Sequence, residues 1–386
     1  MEKTKTFIKL NEKDVNSLKK GIYTLPPVVY HDDEIFKLEL ERFFSKMWLC
    51  AAREEDLQKA GDYLVRNVGG LSFFLIRGKD GSIRAFHNFC RHRGAKLITE
   101  EKGNKRVIQC PYHAWTYSTE GSLLGAPDME GVSWFKKEDY PLIPLKVEIW
   151  GGFVFVNMDE KAPPLQSVLE DFFKQHEHLP IAELKRGGKL VYDVKANWKI
   201  IAENYSECYH CPSVHPTLNR ITPYDYETNE ILVYFDWDSN RPYWRDYMCF
   251  AKDYNSMTLT GYTKRPPIRG TKESDRRKVF YSHIFPNMFF SLHPDYLMVH
   301  TLWPVNKDRT LIECDFYFDP PAMADPSFDP SDAIQVWDEI NRQDWEVCEL
   351  THEGTSSIFA KPGVISKHEE IISSFNLFVA KGLGLI

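Results

Sequence analysis

The sequence lacks the features that place a protein in a membrane or on a nucleic acid. No apolar run approaches the roughly 18 residues that a membrane-spanning helix needs. The first residues carry charges where a secretion signal needs an apolar stretch. The formal net charge is −7, so the positive excess typical of nucleic-acid binding is missing. We therefore expect a cytoplasmic globular protein that binds neither a membrane nor a nucleic acid.

Two further features are missing. Of eight cysteines, Cys50, Cys249, Cys314 and Cys348 stand singly in apolar surroundings, which indicates buried thiols in a reducing compartment rather than a disulfide framework. No Gly-x-Gly-x-x-Gly follows a strand-like run, so a nicotinamide dinucleotide would have to bind to another protein. At 386 residues, the chain is long enough for two or three domains with their own cores.

What the chain does contain is two cysteine–histidine pairs, Cys90-Arg-His92 and Cys110-Pro-Tyr-His113, separated by 17 residues. Two thiolates and two imidazoles from adjacent loops make a closed set of four ligands. Such a set suits structural zinc, or a [2Fe–2S] cluster in which two histidines replace two cysteines on one iron. The spacing favours the cluster, because paired zinc ligands are usually separated by two to four residues. Structural zinc remains the alternative.

A second group of candidate ligands lies in the middle of the chain. The pattern from Asn197 to Cys211 predicts a helix, on which Glu207 and His210 would share one side with Glu203. His215 would point away from His210 if that helix continued. Because Pro212 ends the helix, His215 can fold back so that both imidazoles meet one ion.

These signals also have simpler interpretations. Two histidines alone are more often hydrogen-bonded core residues than metal ligands. The run Cys208-Tyr-His-Cys211 permits a zinc or redox interpretation. We discount that interpretation, because Cys208 falls on the apolar stripe of the predicted helix and no second cysteine pair completes four ligands.

A later helix provides the stronger indication. The apolar stripe of the helix predicted over Ser331–Thr351 contains a carboxylate at Asp344. A buried carboxylate is destabilising by several kcal/mol unless it is paired or binds a metal. An ion pair with Arg342 or Arg220 is the alternative. Together with His210 and His215, however, Asp344 completes the set of two imidazoles and one carboxylate that leaves positions open on Fe(II) for oxygen chemistry.

These motifs resemble those of the α-subunits of Rieske non-haem iron oxygenases, and the resemblance extends from Phe43 to Gly354. It covers Cys90 to Trp115, Asn197 to Pro216, and Gln343-Asp344 with Cys348-Glu349. The resemblance implies that the [2Fe–2S] ligands are Cys90, His92, Cys110 and His113. It implies that the ligands of a mononuclear Fe(II) are His210, His215 and Asp344.

The family fold is α+β. Residues 50–160 are predicted to form a small antiparallel β Rieske domain. Residues 165–386 are predicted to form a catalytic domain of the helix-grip (START-like) type, with an antiparallel sheet and helices. Residues 1–49 are predicted to form an arm and a helix that pack on the catalytic domain.

The resemblance also implies an activity: an oxygenase that uses O2 and electrons from NAD(P)H. The electrons pass through a separate flavin/iron–sulfur reductase, or through a ferredoxin plus a reductase. In the family, cyclic trimers place the cluster of one subunit beside the iron of the next. Glu207 resembles the bridging carboxylate that joins His210 to His113 of the partner subunit, and Asn204 is a candidate hydrogen-bond donor beside the ligands.

The bridging position suggests a substrate class. Ring-hydroxylating dioxygenases usually have aspartate where this chain has Glu207, and glutamate resembles the branch acting on carnitine, glycine betaine or stachydrine, in which a C–N bond is broken. Tyr205, Phe289, Phe290 and Tyr296 are candidates to hold a trimethylammonium group, although each is individually more typical of a core. One alternative is an aromatic-ring or aromatic-acid hydroxylase. A second is a non-catalytic Rieske electron carrier with a ligand-binding domain.

Overall fold

The computed structural model describes residues 12–224 and 231–386. The first eleven residues of the predicted arm therefore lie outside the described residues. The chain divides into two compact units: Phe44–Leu165, and Gln166–Ile386 together with the stretch that ends at Phe43. Both units contain antiparallel sheets, and helices cover the sheet of the larger one, so the expected α+β class is confirmed.

The smaller unit is an antiparallel β-domain. Its seven-stranded sheet has the order β1-β10-β9-β4-β3-β2-β5, and a three-stranded sheet has the order β6-β7-β8. The strands are β1 Leu49–Arg53, β2 Asp62–Val68, β3 Leu71–Arg77, β4 Ile83–His87, β5 Lys102–Asn104, β6 Ile108–Gln109, β7 Thr116–Tyr117, β8 Leu123–Gly125, β9 Pro144–Trp150 and β10 Phe153–Asn157. Between β2 and β3 the two-residue turn is Gly69-Gly70, with positive φ at both positions, which the twist of a tight hairpin requires.

The larger unit is built on a six-stranded antiparallel sheet with the order β11-β16-β15-β14-β13-β12. Every residue of β14 is buried, as expected of a central strand that is covered on both faces. Strand β12 lies at an edge. The strands are β11 Lys185–Val194, β12 Tyr243–Cys249, β13 Lys278–Ile284, β14 Met288–Leu292, β15 Leu297–Asn306 and β16 Arg309–Phe318.

Helices of the larger unit pack around this sheet. The longest, α10, buries Trp337, Ile340, Asn341 and Cys348 at the spacing of one helix face. The described helices are α1 Glu12–Lys19, α2 Val28–His31, α3 Asp33–Glu39, α5 Glu170–His176, α6 Trp198–Tyr205, α7 Cys211–Val214, α8 Pro216–Ile221, α9 Pro320–Met323, α10 Ser331–Thr355 and α11 Glu370–Gly382, with α4 Leu165–Val168 at the boundary of the two units. None of the helices in the described ranges has the length and apolar composition needed to cross a bilayer.

The helix predicted from Asn197 to Cys211 is shorter than expected. Asn197 caps it, accepting a hydrogen bond from the backbone N–H of Lys199 at 3.0 Å. Helix α6 then ends at Tyr205, because the hydroxyl of Ser206 turns back to the carbonyl of Ala202 at 2.6 Å and accepts from the indole of Trp244 at 3.0 Å. The prediction that Glu207 and His210 share a side of this helix is therefore wrong.

A buried ion pair fixes the start of α6 against α3. Lys199 and Glu39 are both 0% exposed, and the ammonium group of Lys199 donates to the Glu39 carboxylate. The indole of Trp198 donates to the second carboxylate oxygen at 2.7 Å, and Asn197 accepts from the same ammonium at 2.8 Å. Every polar atom of the pair thus has a partner, which is the condition under which a buried charge is tolerated.

Removing one half of this pair is expected to be strongly destabilising. Lys199→Met should lower the free energy of unfolding by about 3–5 kcal/mol, because it leaves the Glu39 carboxylate buried without its counter-charge. Urea unfolding measures the change. The matched control is Lys37→Met, which removes the equivalent pair with Glu34 at a site where both side chains are more than 60% exposed, and should leave the midpoint unchanged. Equal effects of the two substitutions would contradict the prediction.

Candidate metal centres

The two cysteine–histidine loops of the smaller unit have the same backbone geometry. In each loop the cysteine N–H donates to the carbonyl five residues later at 2.8 Å, and the N–H four residues later donates back to the cysteine carbonyl at 3.0 or 3.1 Å. The bonded residues are Cys90 with Ala95 and Gly94, and Cys110 with Trp115 and Ala114. Gly94 and Ala114 occupy equivalent left-handed positions, with φ of +74° and +54°.

The four candidate ligands divide into a buried end and an accessible end. Cys90 and Cys110 are 2% and 3% exposed, and their thiols are within hydrogen-bonding reach of each other. His92 is exposed and His113 half-buried, with ring centroids 4.8 Å apart. Two thiols on one side and two imidazoles on the other match a two-iron cluster in which cysteines bind one iron and histidines the other. The histidine end is the one that electrons can reach from outside.

Two aromatic residues support these loops. The hydroxyl of Tyr117 lies 3.3 Å from the Cys90 sulfur and accepts from the backbone N–H of Arg91 at 3.1 Å. Burial, together with the neighbouring thiol of Cys90, raises the pKa of Tyr117. The indole of Trp115 stacks on the His92 ring at 4.9 Å and fixes its plane.

In the larger unit, His210, His215 and Asp344 converge on one point. The Nε2 atoms of the two histidines are 3.2 Å apart, and one oxygen of Asp344 lies 2.8 Å from His215 Nε2 and 3.3 Å from His210 Nε2. Ligands at about 2.1 Å from a metal and about 90° apart are about 3.0 Å from each other, so the triangle fits one face of an octahedron. This is the geometry expected of a mononuclear iron site with two histidines and one carboxylate.

Neighbouring acceptors hold the two imidazoles in this orientation. His210 Nδ1 donates to the carboxylate of Glu207, which also accepts from the backbone N–H of His210 and of Tyr209. His215 Nδ1 donates to the side-chain oxygen of Gln343 at 2.8 Å. When Nδ1 carries the proton, the lone pair of Nε2 is free for the metal. The sequence pattern indicates Glu207 but not Gln343, because the contact of Gln343 with His215 depends on how α10 packs against this loop.

The electrostatics of the triangle favour a cation. Burial raises the pKa of Asp344, but the hydrogen bonds of His210 and His215 together outweigh burial. The pKa is therefore lowered to about 2. The pKa of His210 is raised to about 10, because the carboxylates of Asp344 and Glu207 outweigh the effect of burial. Arg342 pairs with Asp338 at 3.0 Å, so the alternative ion pair between Asp344 and Arg342 is not formed. A metal ion would supply the positive charge that this group of side chains stabilises.

The comparisons with known proteins agree with both centres. Residues 181–384 match the catalytic domain of the ring-hydroxylating α-subunit family, and residues 47–136 match the Rieske [2Fe–2S] domain. The chain belongs to the Rieske oxygenase α-subunits. It is thus an O2-dependent oxidoreductase whose cofactors are a Rieske cluster and a mononuclear iron, and structural zinc is excluded as the resident of the first site.

Several relatives of this Rieske oxygenase have assigned substrates. The chain is 33% identical over 341 residues to the carnitine monooxygenase oxygenase subunit of Acinetobacter pittii, covering 87% of the chain and 86% of the relative. It is 30% identical to the glycine betaine monooxygenase oxygenase subunit of Pseudomonas aeruginosa, with coverages of 90% and 86%. The solved quaternary ammonium Rieske monooxygenase CntA with γ-butyrobetaine superposes with a TM-score of 0.77 at 30% identity, with coverages of 97% and 99%. Naphthalene 1,2-dioxygenase from Rhodococcus shares the fold, with a TM-score of 0.74 at 21% identity, over 97% of this chain and 96% of its own.

A cavity of about 200 Å³ opens beside the three candidate iron ligands. Of the aromatic residues singled out in the sequence, only Tyr205 lines it. Phe289, Phe290 and Tyr296 are 0% exposed and belong to the core of the sheet, which corrects that part of the prediction. Asn204 also lines the cavity, and its suggested role as a donor stays a prediction.

Cys208 and Cys211, which precede and follow His210 in the sequence, form a disulfide bond. A redox pair is not expected here if the helix is continuous, because Cys208 would then lie on its apolar face. Because α6 ends at Tyr205, the two cysteines instead flank a tight turn and face each other. The other six cysteines, all within the described ranges, are not disulfide-bonded.

A second group of two histidines and one carboxylate, His31, Asp308 and His352, escaped the sequence analysis. This group differs from the His210 triangle in the charge around its carboxylate. The ammonium group of Lys307 lies 2.8 Å from Asp308 and already supplies the counter-charge. The His210 triangle is therefore the candidate site for the iron that we carry forward.

The hydrogen bond from Tyr117 to the Cys90 sulfur should tune the cluster. Donation to a sulfur stabilises the reduced, more negative state, so Tyr117→Phe should lower the reduction potential. A bond of about 1 kcal/mol corresponds to roughly 40 mV for one electron. Spectroelectrochemical titration of the cluster measures this. Tyr112→Phe, whose hydroxyl accepts from Arg93 at 3.2 Å, is the matched control and should leave the potential unchanged.

Proposed function

We propose that this Rieske oxygenase is the terminal component of a monooxygenase that hydroxylates a small quaternary ammonium compound, so that a C–N bond breaks or a methyl group leaves. The observation that carries the proposal is a triangle of metal-binding atoms at the edge of a cavity with aromatic walls. The proposed Fe(II) ligands are His210, His215 and Asp344, and the proposed [2Fe–2S] ligands are Cys90, His92, Cys110 and His113.

Both the relatives and the cavity support this substrate class. The carnitine and glycine betaine monooxygenase subunits are similar to the chain over most of its length. Tyr205, Trp244 and Tyr281 line the cavity, and the faces of aromatic rings attract quaternary ammonium ions. An aromatic acid, the alternative substrate, has no positive charge to match the carboxylates of Asp246 and Asp344 in this cavity. A non-catalytic electron carrier would have no use for the triangle.

An Fe(II) held by three facial ligands supplies open positions at which O2 can be activated. The protein's own groups prepare that site. Glu207 and Gln343 keep the Nδ1 protons of the two histidines in place, and thereby aim both Nε2 lone pairs at the metal. The aromatic walls would hold the substrate's cationic end, with a C–H bond beside nitrogen near the residues that would hold the iron. Asn204 lines the same cavity and is proposed as a hydrogen-bond donor there.

The electrons are proposed to come from NAD(P)H through a separate flavin/iron–sulfur reductase, or a ferredoxin plus a reductase. We further propose a homotrimer in which Glu207 joins His210 to His113 of the partner subunit. The support is the accessible histidine end of the cluster loops and the contact of Glu207 with His210. A solved structure similar to this chain is described as showing inter-subunit electron transfer. The cytoplasm is the proposed location; the support is that six of the eight cysteines are not disulfide-bonded.

Loss of the Asp344 charge should remove one iron. Asp344→Asn should reduce the iron content from about three to about two per chain, by ligand count, and abolish substrate-dependent O2 uptake. The visible spectrum of the cluster should be unchanged, because its ligands lie in the other unit. Iron analysis with optical spectroscopy measures both. Glu339→Gln, an exposed carboxylate on the same helix, is the control and should retain all the iron. Loss of the cluster spectrum in Asp344→Asn would contradict two separate sites.

Replacing Glu207 should separate electron delivery from metal binding. Glu207→Gln can still accept from His210 but lacks the charge, so both metal centres should be retained. Oxidation of the reduced cluster in a single turnover should slow by about 10- to 100-fold. Stopped-flow spectroscopy follows this step directly. Glu346→Gln, an exposed residue of α10, should react as the unaltered protein does. An unchanged rate in Glu207→Gln would rule out the bridging role.

A further inference from the structure

Strand β12 supplies an unexpected carboxylate to the catalytic cavity. Residues alternate along this edge strand, and Trp244, Asp246 and Met248 line the cavity beside the candidate iron ligands. On the opposite face, Arg245 and Tyr247 line a different cavity. The position of Asp246 is therefore fixed by the register of the sheet and not by a flexible loop.

Asp246 has no positively charged partner in the part of the chain that the structure describes. Among the described residues, its carboxylate accepts one hydrogen bond, from the backbone N–H of Tyr247 at 2.7 Å. Burial raises its pKa to about 6. A half-buried carboxylate with no counter-charge among the described residues is unfavourable by itself, so its place in the cavity wall favours a ligand that supplies the missing charge.

Tyr281, the residue opposite Asp246 on the neighbouring strand, also brings a polar group to the cavity. Tyr281 pairs with Asp246 across β12 and β13 and lines the same cavity. Its hydroxyl is buried and has no hydrogen-bond partner among the described residues. The negative charges of Asp344 and Asp246 add to burial and to the effect of Tyr205 in raising its pKa. Tyr281 therefore lies beside Asp246 in the cavity wall, and its hydroxyl is still available to donate to a bound molecule.

Rigid aromatic rings complete the surroundings. Tyr205 is stacked on Phe289 at 4.1 Å and hydrogen-bonded to Ser291 at 2.7 Å, so its plane is fixed. Trp244 is held by its bond to Ser206, and the centroids of Trp244 and Tyr281 lie 5.8 and 6.1 Å from that of Tyr205. A quaternary ammonium group has no N–H and can be recognised only by charge and by contact with such faces.

We infer that Asp246 is a specificity-determining residue: its carboxylate is the counter-charge of the substrate's quaternary ammonium group and makes the enzyme prefer that cation to a neutral group of the same shape. This inference rests on the proposed function, because it assigns a residue to the substrate class named there. Lys367 and His368, which are exposed at the same cavity, are available to the carboxylate of a zwitterionic substrate.

The test compares a cation with its neutral carbon isostere. γ-Butyrobetaine and 5,5-dimethylhexanoate differ in the replacement of the nitrogen by carbon, and calorimetry measures the affinity of the iron-loaded enzyme for each. Asp246→Asn should weaken binding of γ-butyrobetaine by about 10- to 100-fold and leave binding of the isostere unchanged or tighter. In steady-state assays the KM for the cation should rise by a similar factor, with a smaller change in kcat.

Two further variants make the result decisive. Asp246→Glu keeps the charge and should retain the preference for the cation, even if its affinity is lower. Asp193→Asn removes an exposed carboxylate that pairs with Arg309, and should bind both compounds as the unaltered enzyme does. Equal weakening for both compounds in Asp246→Asn, or no weakening for the cation, would overturn the inference.

The same measurements distinguish the inference from the proposed function. Binding is measured without turnover. An enzyme that binds the cation through Asp246 but oxidises no quaternary amine would contradict the proposed function and leave the inference standing. An enzyme that oxidises such amines with the same KM in Asp246→Asn would support the proposed function and sink the inference.

Discussion

The proposed iron site depends on bringing three candidate ligand atoms from two distant segments to within about 3 Å of each other. His210 and His215 lie on either side of the short helix α7, and Asp344 lies more than a hundred residues later on α10. Packing of α10 against α6 supplies the third ligand and also Gln343, which orients His215. The same contact therefore creates the site and fixes the proton positions on which metal binding depends.

The candidate cluster site also uses one backbone arrangement twice. Two loops with one hydrogen-bonding pattern present the same pair of ligand types, and the fold buries the thiols while leaving the imidazoles near the surface. Burial keeps water from the sulfurs, and exposure of the histidines keeps the path for electrons short. Two histidines in place of two cysteines on one iron also raise the reduction potential of the cluster. This is a physical reason for two cysteines and two histidines, beyond their affinity for iron.

Candidate ligands that are close in sequence, such as Cys90 with His92, could be proposed from their spacing, and Asp344 from its place on the inward face of a helix; the structure brings Asp344 together with His210 and His215. The end of α6 could not be predicted from the sequence, because it depends on the hydrogen bond between Ser206 and Trp244 of the distant strand β12. The sequence also could not show that Tyr205 lies at the cavity while Phe289 lies in the core beneath it, because this too depends on tertiary packing. Alternation predicts two faces of a strand, and only the order of the sheet shows which face meets the site.

Asp246 illustrates how substrate choice can change while the fold stays constant. The chain shares its fold with naphthalene 1,2-dioxygenase, so the architecture alone does not select between an uncharged aromatic ring and a cation. A carboxylate on an edge strand can be replaced without disturbing the central strands or the iron ligands. In a desolvated cavity its interaction with a charge is much stronger than in water. One side chain in the wall, rather than the metal centre, is therefore sufficient to distinguish a betaine from a molecule of equal shape without charge.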